Sequence, residues 1–324
     1  MKKVLSLILA AVLMVLVCTG CNTPAKTDKI QIGVVQIVEH PSLNTIRESF
    51  LAELNALGYT DDKVEIDYQN AQGDQTTLNS ITQKFATDKK DLIVAIATPS
   101  AQSAAAATTA IPVLFSAVTD PLAAKLMSDL TKPDSNITGT SDAIPVEQMF
   151  QLSAKLTPNV KKYGFIYCTS EVSAVSVITE AKKYCDTNGI PYTEVTITNA
   201  SELQQAAQSL VGQCDAFYTT IDNVVASAMP VLSEVAKKAK MPVYVGADSM
   251  VIDGGFATVG IEYTGLGKQT AAMADKILKG TAISDIPVET LSNFGVFINE
   301  DTAAAIGVTI PDDIKATAQL ITAK

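Results

Sequence analysis

The sequence predicts a two-lobed α/β protein with parallel sheets, and three observations carry that prediction. Near-continuous apolar runs of strand length alternate with helical patterns, as they do in parallel sheets covered on both faces. The series then recurs: "KDLIVAIATPSAQSA" is echoed by "CDAFYTTIDNVVASA" and "IPVLFS" by "MPVYVG", a repeat displaced by roughly 124 to 130 positions, as two similar βα lobes require. Elements left over at the C-terminal end make the chain cross between lobes more than once, which makes a hinge.

Taken in order, the chain begins with Lys2 and Lys3 followed by an apolar run, the layout of a secretory signal over residues 1–20. The run ends in "CTGC", which resembles the lipobox of bacterial lipoproteins with Cys21 as the lipidated residue; Cys18 stands where Leu is usual, and a plain signal peptide is the alternative. Residues 21–29 are polar and aperiodic, as a tether would be. A diacyl anchor would then hold the protein at a membrane surface.

The first lobe follows as "IQIGVVQI" and a helix over 42–57, "KVEIDYQ" and a helix over 76–87, "DLIVAIA" and a helix over 101–109, then "IPVLFSA" and a helix over 122–130. "NITGTSDAIPVEQ" reads as the boundary, because Gly139, Ser141 and Pro145 interrupt both periodicities. Strands "KYGFIYC", "YTEVTIT", "CDAFYTTI", "MPVYVGA" and "FATVGIE" build the second lobe. A helix ending at Gly280, the strand "NFGVFIN" and a short helix from Glu300 complete the chain. The division expected is 30–141 plus 264–292 for lobe 1 and 142–263 plus 293–324 for lobe 2.

Composition removes several classes of function. The formal charge of −10 becomes −12 once Lys2 and Lys3 leave with the signal, and Arg47 is the sole arginine, so no guanidinium cluster exists to grip phosphates; no nucleic-acid partner is expected. Cys168, Cys185 and Cys214 lack the spacing of a disulfide framework or a zinc site and read as small buried hydrophobes. Tryptophan is absent, so an aromatic wall would come from Tyr68, Phe115, Tyr167, Tyr218 or Tyr263. No nucleophile elbow, phosphate loop, dinucleotide fingerprint or zinc-protease motif is present, and neither a metal nor a cofactor is expected.

In open α/β sheets ligands sit beyond the carboxyl ends of the strands. In the first lobe that region holds Gln36, Glu39, His40, Asn70, Thr98, Ser100, Ser116 and Thr119; in the second, Asp222, Asn223 and Asp248, with Asp142 at the crossing. Thr98 and Ser100 flank Pro99 at a helix start, where unpaired N–H groups favour a carboxylate, although ordinary N-capping uses the same residues. The aspartates would complement an ammonium group, or serve as loop caps. A zwitterionic amino acid fits both ends. His40 and Glu39 are adjacent and point apart on most backbones, which makes them an awkward catalytic pair. His40 is expected to govern affinity or selectivity, with a pH dependence near its own titration, and not a rate.

With these residues in view, the set "GVVQIVEHP", "DYQNAQGD", "IATPSAQ", "FSAVTDP" and "GVTIPDDI" resembles the substrate-binding lipoproteins of ABC importers, in the branch similar to aromatic amino acid binding proteins. The resemblance implies the periplasmic-binding-protein type I fold, two Rossmann-like lobes joined by three crossings. It also implies a lipid-anchored monomer on the outer face of the cell membrane that captures tyrosine, phenylalanine or tryptophan and delivers it to a permease with its ATPase. Adhesion or ligand sensing with the same fold is the alternative. Thr98, Ser100, Ser116 and Thr119 would then meet the ligand's carboxylate. Asp142, Asp222 and Asp248 would meet its ammonium, while Gln36, Glu39, His40 and Asn223 would border its side chain.

Overall fold

The computed structural model describes residues 29–322; the signal segment, Cys21 and nearly all of the tether lie outside them. Lobe 1 opens with β1 (Ile30–Gln36), α1 (Pro41–Ala56), β2 (Val64–Asn70), α2 (Gln75–Thr87), β3 (Leu92–Ile96), α3 (Thr98–Ala107), β4 (Val113–Ser116) and β5 (Ile137–Ser141). The chain crosses to lobe 2 for α4 (Val146–Leu156), β6 (Tyr163–Cys168), α5 (Val172–Asn188), β7 (Tyr192–Ile197), α6 (Leu203–Leu210) and β8 (Ala216–Tyr218). There it continues through α7 (Asn223–Ser227), α8 (Met229–Ala239), β9 (Val243–Tyr244), α9 (Asp248–Ile252) and β10 (Ala257–Gly260). A second crossing returns it to lobe 1 for α10 (Tyr263–Leu278) and β11 (Glu289–Thr290). The third leads to β12 (Gly295–Asn299), α11 (Glu300–Ile306), α12 (Asp312–Lys315) and β13 (Gln319–Ile321).

Both sheets have one plan. Strand order in lobe 1 is β2-β1-β3-β4-β5-β11, all parallel; lobe 2 repeats it as β7-β6-β8-β9-β10-β12-β13, with the β10–β12 pair antiparallel. Apolar "LIVAI" of β3 is buried at every position, as a central strand covered on both faces must be. Helix α10 belongs to lobe 1 because it packs closely on α1: a Cβ at Gly267 would lie 2.0 Å from Ser49 Oγ and 2.5 Å from the Ile46 carbonyl. Only glycine admits that approach.

Two sequence expectations are corrected here. Residues 122–130 do not form a helix, because Lys125 adopts a left-handed φ of 58° and ends the coil after one turn, in which Leu126 N–H donates to the Pro121 carbonyl. The stretch read as a boundary contains the buried strand β5 before the chain crosses between Ser141 and Val146, so Gly139 does not interrupt the strand but serves packing: a Cβ there would lie 2.0 Å from the Phe115 carbonyl. The three remaining cysteines are free and buried, as apolar fillers are.

Candidate functional site

The carboxyl ends of the two sheets face each other across an enclosed chamber lined by residues of both lobes. A more open hollow of about 610 Å³ lies between α6 and α8, but Gln204, Val211, Val231 and Lys238 on its walls bring no buried acid or hydroxyl to one point. The chamber is the better site on chemical grounds.

Lobe 1 contributes the end of β3. Ala97 has φ 75° and ψ 159°, a conformation that is essentially glycine's, and it places Thr98 in the chamber wall and Pro99 in the first turn of α3. No side chain caps this helix, so its positive end is left without an acceptor from its own chain. One residue past Pro99, Ser100 Oγ is wholly buried and has no hydrogen-bond partner. At the end of β4, Ala117 lines the chamber with a second left-handed φ of 57°. Two strained alanines at adjacent strand ends hold the backbone in this shape.

The first two crossings contribute Asp142 and Tyr263. Asp142 is buried, accepts from Thr119 Oγ1 at 2.8 Å and from Tyr263 Oη at 3.3 Å, and is pushed up to about 6 by loss of solvent. Both residues line the chamber, as does Thr119.

Lobe 2 contributes the end of β8. Asp222 caps α7, accepting from the N–H groups of Val224 and Val225 at 3.0 Å each, and its other oxygen accepts from Cys168 N–H at 2.6 Å. Even so, burial raises its pKa. Glu171 is also buried and raised, first by desolvation and then by the charge of Asp222, so the pair resists carrying two negative charges.

Contacts across the cleft close the chamber. His40 Nε2 meets Asn223 Oδ1 at 3.1 Å and Ser176 Oγ donates to Asp120 Oδ2 at 2.6 Å, while within lobe 2 Asn223 Nδ2 donates to Glu171 Oε2 at 3.0 Å. Ser42 and Ser249 also bond across it. Burial lowers the His40 pKa to about 4, outweighing its bond to Asn223. His40 therefore stays neutral through the physiological range, and a pH dependence from its own titration would fall in the acid range.

Of the residues singled out from sequence, Thr98, Thr119, His40, Asp142, Asp222 and Asn223 share the chamber wall, with Ser100 buried one residue beyond Pro99. The others are engaged elsewhere. Ser116 turns its hydroxyl away to Thr270 on α10 at 2.8 Å and Thr140 at 3.2 Å. Gln36 ties the loop after β1 through Val38 and Asn44, and Asn70 accepts from the left-handed Gln72 backbone. Glu39 is 53 % exposed and pairs with Arg47, whose guanidinium lies 4.4 Å above the Tyr68 ring. Asp248 accepts from Ser249 N–H beside Glu262, outside the chamber wall, with burial pushing it up to about 6. Among the candidate aromatics only Tyr263 lines the chamber; Phe115 is core, and Tyr218 stacks against Phe150. Sequence reasoning left out Ser42 and Ser173, wall residues in the first turns of α1 and α5; their position just after strands β1 and β6 was the available signal.

Two homologous α/β lobes, three crossings and one enclosed polar chamber at the strand ends define a solute-binding protein that holds its ligand between lobes. Residues 31–321 match the family described as ABC transporter substrate binding protein, and the chain belongs to that family; its fold is the periplasmic-binding-protein type I fold. Over 318 residues the chain is 43 % identical to a tyrosine-binding protein of Clostridioides difficile (strain R20291), covering 94 % of this chain and 92 % of that one. A Streptococcus pneumonia structure described as an ABC domain in complex with L-Trp matches with a TM-score of 0.88 at 36 % identity, covering 90 % and 99 %. A ligand-free, open substrate-binding protein with adhesive properties from Clostridium difficile matches with 0.71 at 42 % identity, covering 91 % and 99 %.

Proposed function

We propose that this chain captures a free aromatic amino acid in the chamber and hands it, without turnover, to an ABC permease driven by a cytoplasmic ATPase. The observation that carries this reading is the pairing of opposite chemistries in one enclosed space. The uncapped N-terminus of α3 with Thr98 and the unpartnered Ser100 suits a carboxylate, and buried Asp142, with Asp222 beyond, suits an ammonium. Ala117, Ala247, Met250 and Tyr263 supply apolar wall for a ring. The similarity to tyrosine- and tryptophan-binding relatives supports the same class of ligand.

Shape agrees better with the ligand-bound relative than with the open one, although sequence identity runs the other way. The lobes described here are therefore in the closed arrangement, and release requires parting His40 from Asn223 and Ser176 from Asp120. Anchoring through Cys21 on the outer face of the membrane, as a monomer, completes the proposal.

Titration calorimetry against the twenty amino acids is the test: sub-micromolar binding of at least one of tyrosine, phenylalanine or tryptophan is expected, about 8 to 10 kcal/mol. Heat from none of the three would overturn the ligand class. The similarity to a protein with adhesive properties favours a second, surface role. Adhesion of whole cells that persists in an Asp142→Asn strain would separate that role from transport.

A further inference from the structure

Asn223 donates through Nδ2 to Glu171 Oε2, so the atom facing His40 Nε2 is the amide oxygen. An amide oxygen can only accept, hence Nε2 carries the ring proton. With the imidazole neutral, Nδ1 is left as a bare lone pair. That nitrogen is buried, finds no partner in the protein, and belongs to a residue in the chamber wall. An unpaired buried acceptor costs free energy that a donor entering the chamber can return.

On the reading that the occupant is an amino acid, its charged groups already have partners in the α3 N-terminus and in the buried carboxylates. The remaining polar group is on the side chain. We propose that His40 Nδ1 accepts a hydrogen bond from a donor on the ligand's ring, so that the site selects rings bearing a hydroxyl or N–H over an all-hydrocarbon ring. A site built around a buried acceptor discriminates this way because the wrong ligand leaves the acceptor unpaired.

His40 is the sole histidine, so in tag-free protein its ring nitrogens give one assignable pair of nitrogen-15 signals. In the free protein they should read as protonated Nε2 and bare Nδ1. Tyrosine should shift Nδ1 in the direction of hydrogen-bond acceptance, and phenylalanine should leave it near its free position. By calorimetry the parent should favour tyrosine over phenylalanine by about tenfold. That ratio should fall to about one in His40→Leu. His40→Asn, whose amide oxygen falls near the position of Nδ1, should retain it. Both variants lose the donor to Asn223, so their difference isolates the acceptor.

A protonated Nδ1 in the free protein, or equal losses for tyrosine and phenylalanine in His40→Leu, would overturn the assignment while leaving the amino-acid reading intact. Absence of heat with every aromatic amino acid would instead remove the reading on which it rests.

Discussion

The turn from β3 into α3 and the turn from β8 into α7 occupy the same place in two sheets of one strand order, yet their chemistry is opposite. In lobe 1 the helix starts on a strained alanine with no side-chain cap, leaving its electropositive end and the Ser100 hydroxyl unmatched. In lobe 2 the equivalent helix is capped by Asp222, whose oxygens take three backbone N–H groups. A repeated fold thus gives one half-site waiting for an anion and another that already contains one. Buried Asp142, at the crossing between them, holds two neutral hydroxyl donors and no cation. A ligand carrying both charges would join the halves, which would give closure on binding a physical reason.

The largest expected effect separates the two buried aspartates. Asp142→Asn removes the charge that a ligand ammonium would pair with, and affinity should fall by about 100-fold or more, as when one partner of a buried ionic contact is truncated. Its folded stability should hold or rise, because a carboxyl raised by burial is costly to ionise. Asp222→Ala should behave oppositely, losing about 2–4 kcal/mol of stability in urea melts as three N–H groups and a helix cap go unsatisfied. Equal loss of affinity with no loss of stability in both variants would break the distinction between the crossing and lobe 2.

Next in size is a pair of opposite pH trends. Asp142 and Asp248 are raised to about 6, and Asp222 and Glu171 are raised too, so the ligand-free fold binds extra protons. Stability from these groups is fully present below their unfolded values and is lost as pH rises through the folded ones. His40, lowered to about 4, works the other way: its contribution is present above its ordinary value and is lost on acidification. With four carboxyls against one imidazole, the melting temperature of the free protein should rise by a few degrees from pH 7.5 to 5.5. Affinity should fall over the same range, since an ammonium requires ionised Asp142, by about tenfold for each unit below its folded value. Parallel trends in melting and binding would contradict the assignment of the ammonium to these acids.

Much of this comparison was legible before the fold was known. Strand runs, their recurrence in two lobes and the clustering of hydroxyls in lobe 1 and acids in lobe 2 are local or periodic properties, and they survive in the structure. What could not be read was the destination of single side chains. Ser116 looked like a carboxylate ligand, but its hydroxyl is taken by Thr270, a residue from the returning helix 154 positions away. Asp222 could be read as an ammonium partner or a loop cap, and nothing local announced that Cys168 N–H, 54 positions earlier, also reaches it in the folded chain. Neither encounter has a sequence signature. Gly139 was read as an interruption because its role, admitting the Phe115 carbonyl, depends on the neighbouring strand. The apolar spacing of residues 122–130 was genuine, and a single left-handed Lys125 overrode it.

The smallest effect tests why lobe 1 keeps its half-site open. Ala97 holds a conformation whose cost is about 1–3 kcal/mol for a residue with a Cβ. Replacing it with glycine removes that strain but adds about 0.5–1 kcal/mol of unfolded-chain entropy. Ala97→Gly should therefore raise stability by about 0.5–2 kcal/mol, read as a higher urea midpoint with an unchanged slope. Affinity should slip by about two- to threefold, because the alanine restricts the turn that presents Thr98 and the α3 N-terminus to the chamber. A glycine variant that is less stable would mean the turn is comfortable as built, and the contrast between the uncapped helix and its capped counterpart would then owe nothing to strain.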